Sequence, residues 1–359
     1  MAKNAYLLIS DLHDSATGKA NRYDYPGEIL DVKKQIIRLT KKYKEAFDRV
    51  FIIFLGDVFD RGYQDVFGGT IANNFFILLR DLCDGIYLLF GNHELTYYKG
   101  NPIYTLFSEI ESEKIRNVQN KLRKPQGIFQ TMRVVDLIED GEVFIHFNHY
   151  GTDQSKPVSG KVNIALFHQD VVCPQILDAM QQGLNRSLYG SKPLDFDDAG
   201  IFENISHAFF GHMHSVYGEW DWKSEVTGWT ATLHYLGSLG RPNYLEVNDN
   251  QLERDIPCIL VTDGKFDSII SNKFFLRSYD ECVKPDIVTE NQEKYEKTKE
   301  RKEQKSYEPV YDEPIKNLVS RCNTQERIQR MEELLSFGKA LVEDDIRKQM
   351  NLEGLYVRY

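Results

Sequence analysis

The sequence predicts an α/β (α+β) fold, in which a first, parallel sheet alternates with amphipathic helices and a second sheet of shorter strands packs on it. Three observations predict this. Apolar runs alternate with segments of helical periodicity over the first 90 residues, the runs then shorten and lose most of their intervening helices, and several runs end in a polar cluster.

The elements follow in order. AYLLIS is strand-like, and GEILDVKKQIIRLTKKYKEAF repeats Ile29, Val32, Ile36, Leu39 and Tyr43 at helical spacing with lysines between them. RVFIIFLG is a second strand, TIANNFFILLRDLC a second helix and IYLLF a third strand, the βαβαβ alternation of a buried parallel sheet. A helical stretch is expected around IYTLFSEIESEKI. After it come TMRVVDLI, EVFIHFN, NIALFH, HAFFGH and TLHYLGS, shorter strands suited to a second sheet. CILVTDG and SIISNKFFL, beyond Pro242, read as a small capping module. ENQEKYEKTKERKEQKSYEPVYDEP is dense in Lys and Glu and reads as a solvated helix or linker. Beyond it, Ile315, Leu318, Val319, Ile328, Met331, Leu334, Leu335, Leu341, Val342 and Ile346 form an apolar stripe of one or two amphipathic helices.

Composition narrows the class. With 359 residues and 42% hydrophobic content, the chain can bury one large core with a smaller module. Five scattered cysteines without a CxxC pair fit neither a disulfide framework nor a zinc ribbon. No apolar run approaches the roughly 20 residues of a membrane helix and no leader precedes AYLLIS, so a cytoplasmic protein without membrane contact is expected. A formal charge of −10 argues against a sheath of nonspecific phosphate contacts, although a local basic groove stays open.

The strand-end clusters SDLHDS, GDVFDRG, GNHE, HQD and GHMH collect Asp11, His13, Asp57, Asn92, His93, His168, His212 and His214. Any one alone is ordinary turn chemistry. Together, each after an apolar run, they supply carboxylate, imidazole and amide donors where an α/β sheet places its ligand site. Two divalent cations about 3.5–4 Å apart can hold a phosphoryl group, activate water and neutralise a leaving oxygen. Such a pair needs an anionic bridge, for which Asp57 is the natural candidate. Asp11, His13 and His214 would complete one shell, and Asn92, His168 and His212 the other. Mixed nitrogen and oxygen donors suit Mn²⁺, Fe²⁺ or Zn²⁺ better than Mg²⁺ or Ca²⁺, with Mn²⁺ the first choice.

DLH, GDVFDRG, GNHE, His168 and GHMH resemble the five signature blocks of the calcineurin-like metallophosphoesterase superfamily, over roughly residues 5 to 240. The resemblance implies a two-sheet metallophosphoesterase sandwich flanked by helices, with a dimetal centre at the strand ends. It also implies that Asn92 is a ligand, and that His93 is not one but contacts substrate and assists the leaving group. In the protein phosphatases of the superfamily, GNHE occurs with GDxxDRG and the aspartate of that block holds the histidine. Asp60 is then the candidate partner of His93, and Arg61 a candidate phosphate contact, against the alternative of an ordinary surface pair. His146, His149, His207 and His234 default to packed or exposed imidazoles, with His149 the best placed of them to face substrate. Tyr97, Tyr98 and Tyr104 fit a substrate groove or core packing equally well.

The run YLGSLGRPNYLE after GHMH resembles the SbcD-type nuclease subunits, in which a YxGS turn follows the last histidine block and a small capping domain comes next. That resemblance implies a DNA nuclease, acting in repair or recombination as an exo- or endonuclease and working with a coiled-coil ATPase gripped by the C-terminal arm. The expected organisation is a catalytic domain over 1–241, a capping module over 242–289, a charged linker over 290–314 and a helical arm over 315–359. The arm could instead fold back or pair two copies into a homodimer. DRG, GNHE, the insert from Gly218 to Thr232 and the acidic charge depart from the nuclease pattern. The alternative is a stand-alone metallophosphatase acting on a phosphoprotein or a small nucleotide. An inactive adaptor is disfavoured because no ligand position is missing.

Overall fold

Strict alternation along the first strand sets the architecture. In β1 (Lys3–Ile9), Ala5, Leu7 and Ile9 point to one side and Tyr6 and Leu8 to the other, and all five are buried. Such a strand must lie inside a sheet covered on both faces. The computed structural model describes residues 2–14, 25–60, 75–98, 101–104, 107–110, 129–152, 154–169, 171–172, 194–195, 203–214, 216–224, 227–242, 246–247 and 252–282. All of these fall in the unit Met1–Asn291. The expected arm over 315–359 and linker over 290–314 lie outside the described residues, as does Arg61.

α1 (Tyr25–Ala46) follows β1, with Ile29, Val32, Ile36 and Tyr43 buried as the helical spacing requires. β2 (Arg49–Leu55) and β3 (Gly85–Leu89) run parallel to β1, separated by α2, whose described part spans 75–82. β4 (Leu95–Tyr98) and β5 (Asn101–Tyr104) form a hairpin, while β6 (Phe107–Ile110) and β7 (Phe129–Val134) join the first sheet. The helix expected around IYTLFSEIESEKI is therefore β5 and β6 over 101–104 and 107–110, because sheet pairing overrides a helical spacing of apolar residues. The segment TMRVVDLI is split between the sheets: β7 ends at Val134 in the first, and β8 (Leu137–Asp140) opens the second.

The second sheet continues with β9 (Val143–Asn148), β10 (Val162–Phe167), β13 (Ile205–Phe210), β14 (Tyr217–Lys223) and β15 (Thr230–Leu236). β9, β10, β13 and β15 run parallel, with antiparallel β8 and β14 at the edges. Between β10 and β13 in sequence, β11 (Val171–Val172) and β12 (Leu194–Asp195) make a short ladder. The expected two-sheet α/β sandwich is thus observed, and the apolar face shared by the sheets includes Tyr6, Ile53, Leu89, Ile145, Leu166 and Phe209.

One organisational expectation is corrected. β16 (Glu253–Thr262) and β17 (Lys265–Phe275), expected in a capping module over 242–289, extend the first sheet. β16 pairs antiparallel with β1, from Lys3 opposite Thr262 to Leu7 opposite Cys258. The apolar alternation of β16 supplies the physical reason: Ile256, Cys258 and Leu260 join the helix-side core and Ile259 and Val261 the inter-sheet core. The short helix α3 (Tyr279–Cys282) ends the described chain. No helix among the described residues is long and apolar enough to cross a membrane.

Candidate metal centre

Five loops meet beyond the carboxyl ends of β1, β2, β3, β10 and β13, five of the parallel strands of the two sheets. The first two loops are zipped together by the His13 and Asp14 N–H groups, which donate to the Asp57 and Val58 carbonyls at 2.9 and 2.7 Å. Their backbones are unusual. Among the described non-glycine residues, six have positive φ, and four of these are Asp11 (45°), His13 (47°), Asp57 (47°) and His212 (75°). The other two, Asn204 and Asp263, are of the types that tolerate this region. Histidine in a left-handed conformation, twice in one site, is strain that the surrounding fold has to hold.

Glycine makes the approach possible. A side chain at Gly56 would strike the His168 ring, and one at Gly91 would strike the Asp57 carboxylate and backbone. This is why the second and third loops begin with glycine before Asp57 and Asn92.

Three groups of donors result, each with its ligand atoms within 4.8 Å of one another. Asp11, His13, Asp57 and His214 form the first; Asp57, His168 and His212 the second; His13, Asp60 and His93 the third. Asp57 belongs to two of them and lies between. His13 Nε2 is 3.9 Å from Asp57 Oδ2 and 2.8 Å from His214 Nε2, while His168 Nε2 is 3.2 Å from Asp57 Oδ2. One amide atom of Asn92 completes the second group, 3.1 Å from His168 Nε2, 2.9 Å from His212 Nδ1 and 3.0 Å from Asp57 Oδ2. The seven residues expected as ligands are therefore brought together in the two expected sets.

The donor set fits divalent cations. Asp11 and Asp57 are 1% exposed, and among the described residues neither pairs with a lysine or arginine. Buried carboxylates surrounded by imidazoles are costly without positive charge. Without a cation, the charge on Asp57 is balanced by the imidazoles around it: burial opposes its ionisation, yet His168 beside it holds its pKa well below the usual carboxylate range. Burial likewise disfavours charge on His168, but Asp57 and Asp11 carry it up to about 10. Burial and the neighbouring His214 push His13 down. Two cations would relieve this competition, with Asn92 presenting its oxygen.

Glu94 has a definite place. Its buried carboxylate accepts the N–H groups of Asp57 (2.9 Å), Val58 (2.8 Å) and Gly91 (2.7 Å), tying the second loop to the third. Burial and the nearby Asp57 charge push its pKa up to about 7. His93 is partly exposed, 31% at the side chain, with Nε2 4.0 Å from Asp57 Oδ2. Its Nδ1 is held by the Asp60 backbone carbonyl, whereas the Asp60 carboxylate faces His13 Nδ1 at 3.8 Å. The expected Asp60–His93 partnership thus runs through the main chain.

His149, expected to have the best claim among the other histidines to face substrate, is fully buried. Its Nδ1 accepts the Phe90 N–H at 3.0 Å and its Nε2–H donates to the Val135 carbonyl at 3.0 Å, so it supports the strand end before GNHE. The hairpin β4–β5 carries Tyr97, Tyr98 and Tyr104, whose side chains lie outside the described residues. Two supporting residues were not anticipated: Glu246, 3.4 Å from His214 Nδ1, and Ser10, whose hydroxyl donates to the Asp11 carboxylate. Glu246 closes the run YLGSLGRPNYLE, in which only the YLGS turn was singled out. Ser238 belongs to the YLGS turn, and its hydroxyl donates to the Asp11 carbonyl at 3.0 Å.

Residues 5–216 match the family described as calcineurin-like phosphoesterase. The chain belongs to that family. No curated protein matches this calcineurin-like chain. Among solved structures, it is similar to a 5'-nucleotidase precursor from Thermus thermophilus, at 10% identity and a TM-score of 0.36 over 77% of this chain and 54% of that one. It is also similar to the NAD nucleotidase of Haemophilus influenzae, at 12% identity and a TM-score of 0.36 over 77% of this chain and 50% of that one. The chain therefore aligns with only about half the length of either structure.

Proposed function

We propose that this phosphoesterase hydrolyses a small phosphate ester, a nucleotide being the favoured class, with two divalent cations held by Asp11, His13, Asp57, Asn92, His168, His212 and His214. The observation that carries the proposal is the pair of donor groups sharing the buried carboxylate of Asp57. Such a cation pair, of which Mn²⁺ is the favoured member, supplies charge neutralisation and an activated water. The chain's own contribution is positioning. Glu94 fixes the main chain on both sides of Asp57, and the Asp60 carbonyl takes the Nδ1–H of His93. That leaves His93 Nε2 to face the leaving oxygen, and the imidazolium form of His93, protonated on both nitrogens, gives it the Nε2 proton and returns to the Nδ1–H imidazole.

Two features support a small substrate over a nucleic acid. Asp60 and Glu94 belong to the phosphatase-like extensions of the blocks, and both engage the site's main chain or histidines. The formal charge of −10 is also unfavourable for a polyanion. The nuclease reading keeps one specific support, the YLGS turn, whose Ser238 braces Asp11. It adds DNA and a coiled-coil ATPase bound by the arm over 315–359, and deletion of residues 308–359 would then abolish ATPase co-purification while sparing diester hydrolysis.

The two readings separate on paired substrates with Mn²⁺. The favoured reading expects p-nitrophenyl phosphate and nucleoside monophosphates to be cleaved faster than bis-p-nitrophenyl phosphate, with no nucleotide released from DNA ends or hairpins. The reverse ranking, with DNA cleavage, overturns it in favour of the nuclease.

A further inference from the structure

A cavity of about 440 Å³ lies between the sheets where β13, β14 and β15 face β16 and β17, and it shares no residue with the metal cluster. Elsewhere the inter-sheet face is apolar. Here it is lined by His207, Glu219, Thr232 and His234. Pairing puts them side by side: His207 is opposite Thr232, while His234 is opposite Phe209 on one neighbour and Glu219 on the other. Of these, His234 is buried, and a buried imidazole is costly unless something engages it.

The geometry of the two imidazoles is specific. Glu219 Oε2 lies 3.0 Å from His234 Nδ1, a placement that favours the tautomer with its proton on Nδ1 and its lone pair on Nε2. His234 Nε2 in turn lies 3.3 Å from His207 Nδ1. That is long for a nitrogen–nitrogen hydrogen bond. Two nitrogens each about 2.0–2.1 Å from a tetrahedral zinc ion stand about 3.3 Å apart, which is the spacing here. Phe209 stacks on the His234 ring at 4.4 Å and 12°, and Phe266 lies 5.3 Å from the His207 ring, so packing restrains both planes. Burial also keeps both rings unprotonated, as metal binding requires: it lowers His207 and, with His207 adjacent, pushes His234 down to about 3.

We propose that His207 Nδ1 and His234 Nε2 form a separate site for one divalent transition-metal ion of the zinc class, with Glu219 orienting His234 and cavity water completing the shell. A carboxylate–histidine–metal relay of this kind fixes tautomer and raises ligand basicity. On binding, His207 carries its proton on Nε2, and neither imidazole loses a proton to solvent. The site stands on its own geometry and does not depend on the phosphoesterase reading.

Zinc itself is the probe. The full chain is dialysed to equilibrium against zinc and its content measured by elemental analysis. The expected result is one zinc per chain fewer in His234→Ala than in the unaltered protein, and retention of that same zinc in Asp57→Ala. Glu219 is 67% exposed at the side chain, so Glu219→Gln should fold normally. It is expected to weaken this one zinc by about 10–100-fold while turnover of p-nitrophenyl phosphate stays unchanged. Equal zinc in the unaltered protein and His234→Ala overturns the proposal and leaves the pair as a hydrogen-bonded imidazole chain. If His234→Ala does not fold, the Glu219→Gln titration decides, and unaltered affinity at every zinc overturns it.

Discussion

The nine histidines of this chain fall into two populations, and the contrast between them shows what turns an imidazole into a metal donor. His13, His93, His168, His212 and His214 lie in loops just past parallel strands, with Asp11, Asp57 and Asp60 among them. His146 and His149 lie in or at the end of β9, and their ring nitrogens are engaged by groups fixed in the fold. His146 Nε2 meets Asn163 Oδ1 at 2.9 Å, and His149 bridges Phe90 and Val135. Burial does not separate the populations, because His13, His149 and His168 are all fully buried. The difference is the company: the buried Asp11 and Asp57 carboxylates converge on the loop histidines, whereas those of the strand are hydrogen-bonded to neutral groups, with one partly exposed carboxylate, Asp136, 3.6 Å from His149 Nε2. His207 and His234 sit between these extremes, on strands but with a carboxylate at one end.

Substitutions can break or sharpen this contrast. The largest effect is expected at Asp57, the carboxylate common to both donor sets: Asp57→Ala should lose both cations of the centre and with them all measurable phosphoesterase turnover. Elemental analysis in manganese checks it, and two tightly retained ions would refute the shared role. Next is His93→Ala, expected to lower kcat by about 10²–10⁴-fold while the metal content holds. A parallel loss of metal would move His93 among the ligands.

A strand histidine should behave differently. His149→Leu strands the buried Phe90 N–H, at a cost of about 1–3 kcal/mol in a denaturant titration. Turnover per folded molecule should change by far less than in His93→Ala, so a comparable loss of kcat would erase the distinction between the populations.

The smallest effect concerns acid. In the unfolded chain His234 protonates near its ordinary 6.5, whereas in the fold it stays neutral down to about 3. The unfolded state therefore holds more protons in this window, and stability should fall as pH drops from 6.5 towards 3, by at most about 1.4 kcal/mol per pH unit for this proton. Urea midpoints measured with chelator present, for the unaltered protein and His234→Gln, test the sign. The variant should show the shallower acid loss, and parallel profiles would count against a histidine held neutral by burial.

Much of the site was readable from order alone, because each donor cluster follows directly on an apolar run and parallel strands bring such ends to one side of a sheet. The two groups of donor side chains around Asp57 needed no more than that. The identity of the β1 neighbour was not readable: Lys3 opposite Thr262 is a pairing across most of the described chain, and no local pattern in CILVTDG distinguishes a sheet edge from a separate module. Segments 101–104 and 107–110 failed for the opposite reason, since their apolar spacing is compatible with a helix that tertiary pairing overrides. Main-chain roles were invisible as well. Glu94 holding three N–H groups and the Asp60 carbonyl holding His93 depend on where backbones meet, which side-chain identity does not encode.

The left-handed backbone at Asp11, His13, Asp57 and His212 has a practical consequence for anyone engineering this protein. Glycine adopts that conformation freely, and asparagine more readily than histidine, so replacing His13 or His212 in this way relieves local strain. A library screened for heat resistance alone, in metal-free medium, would accordingly enrich for replacements at positions proposed to hold the cations. Its winners would be sturdier and inert, and selection on this scaffold has to score turnover at every round.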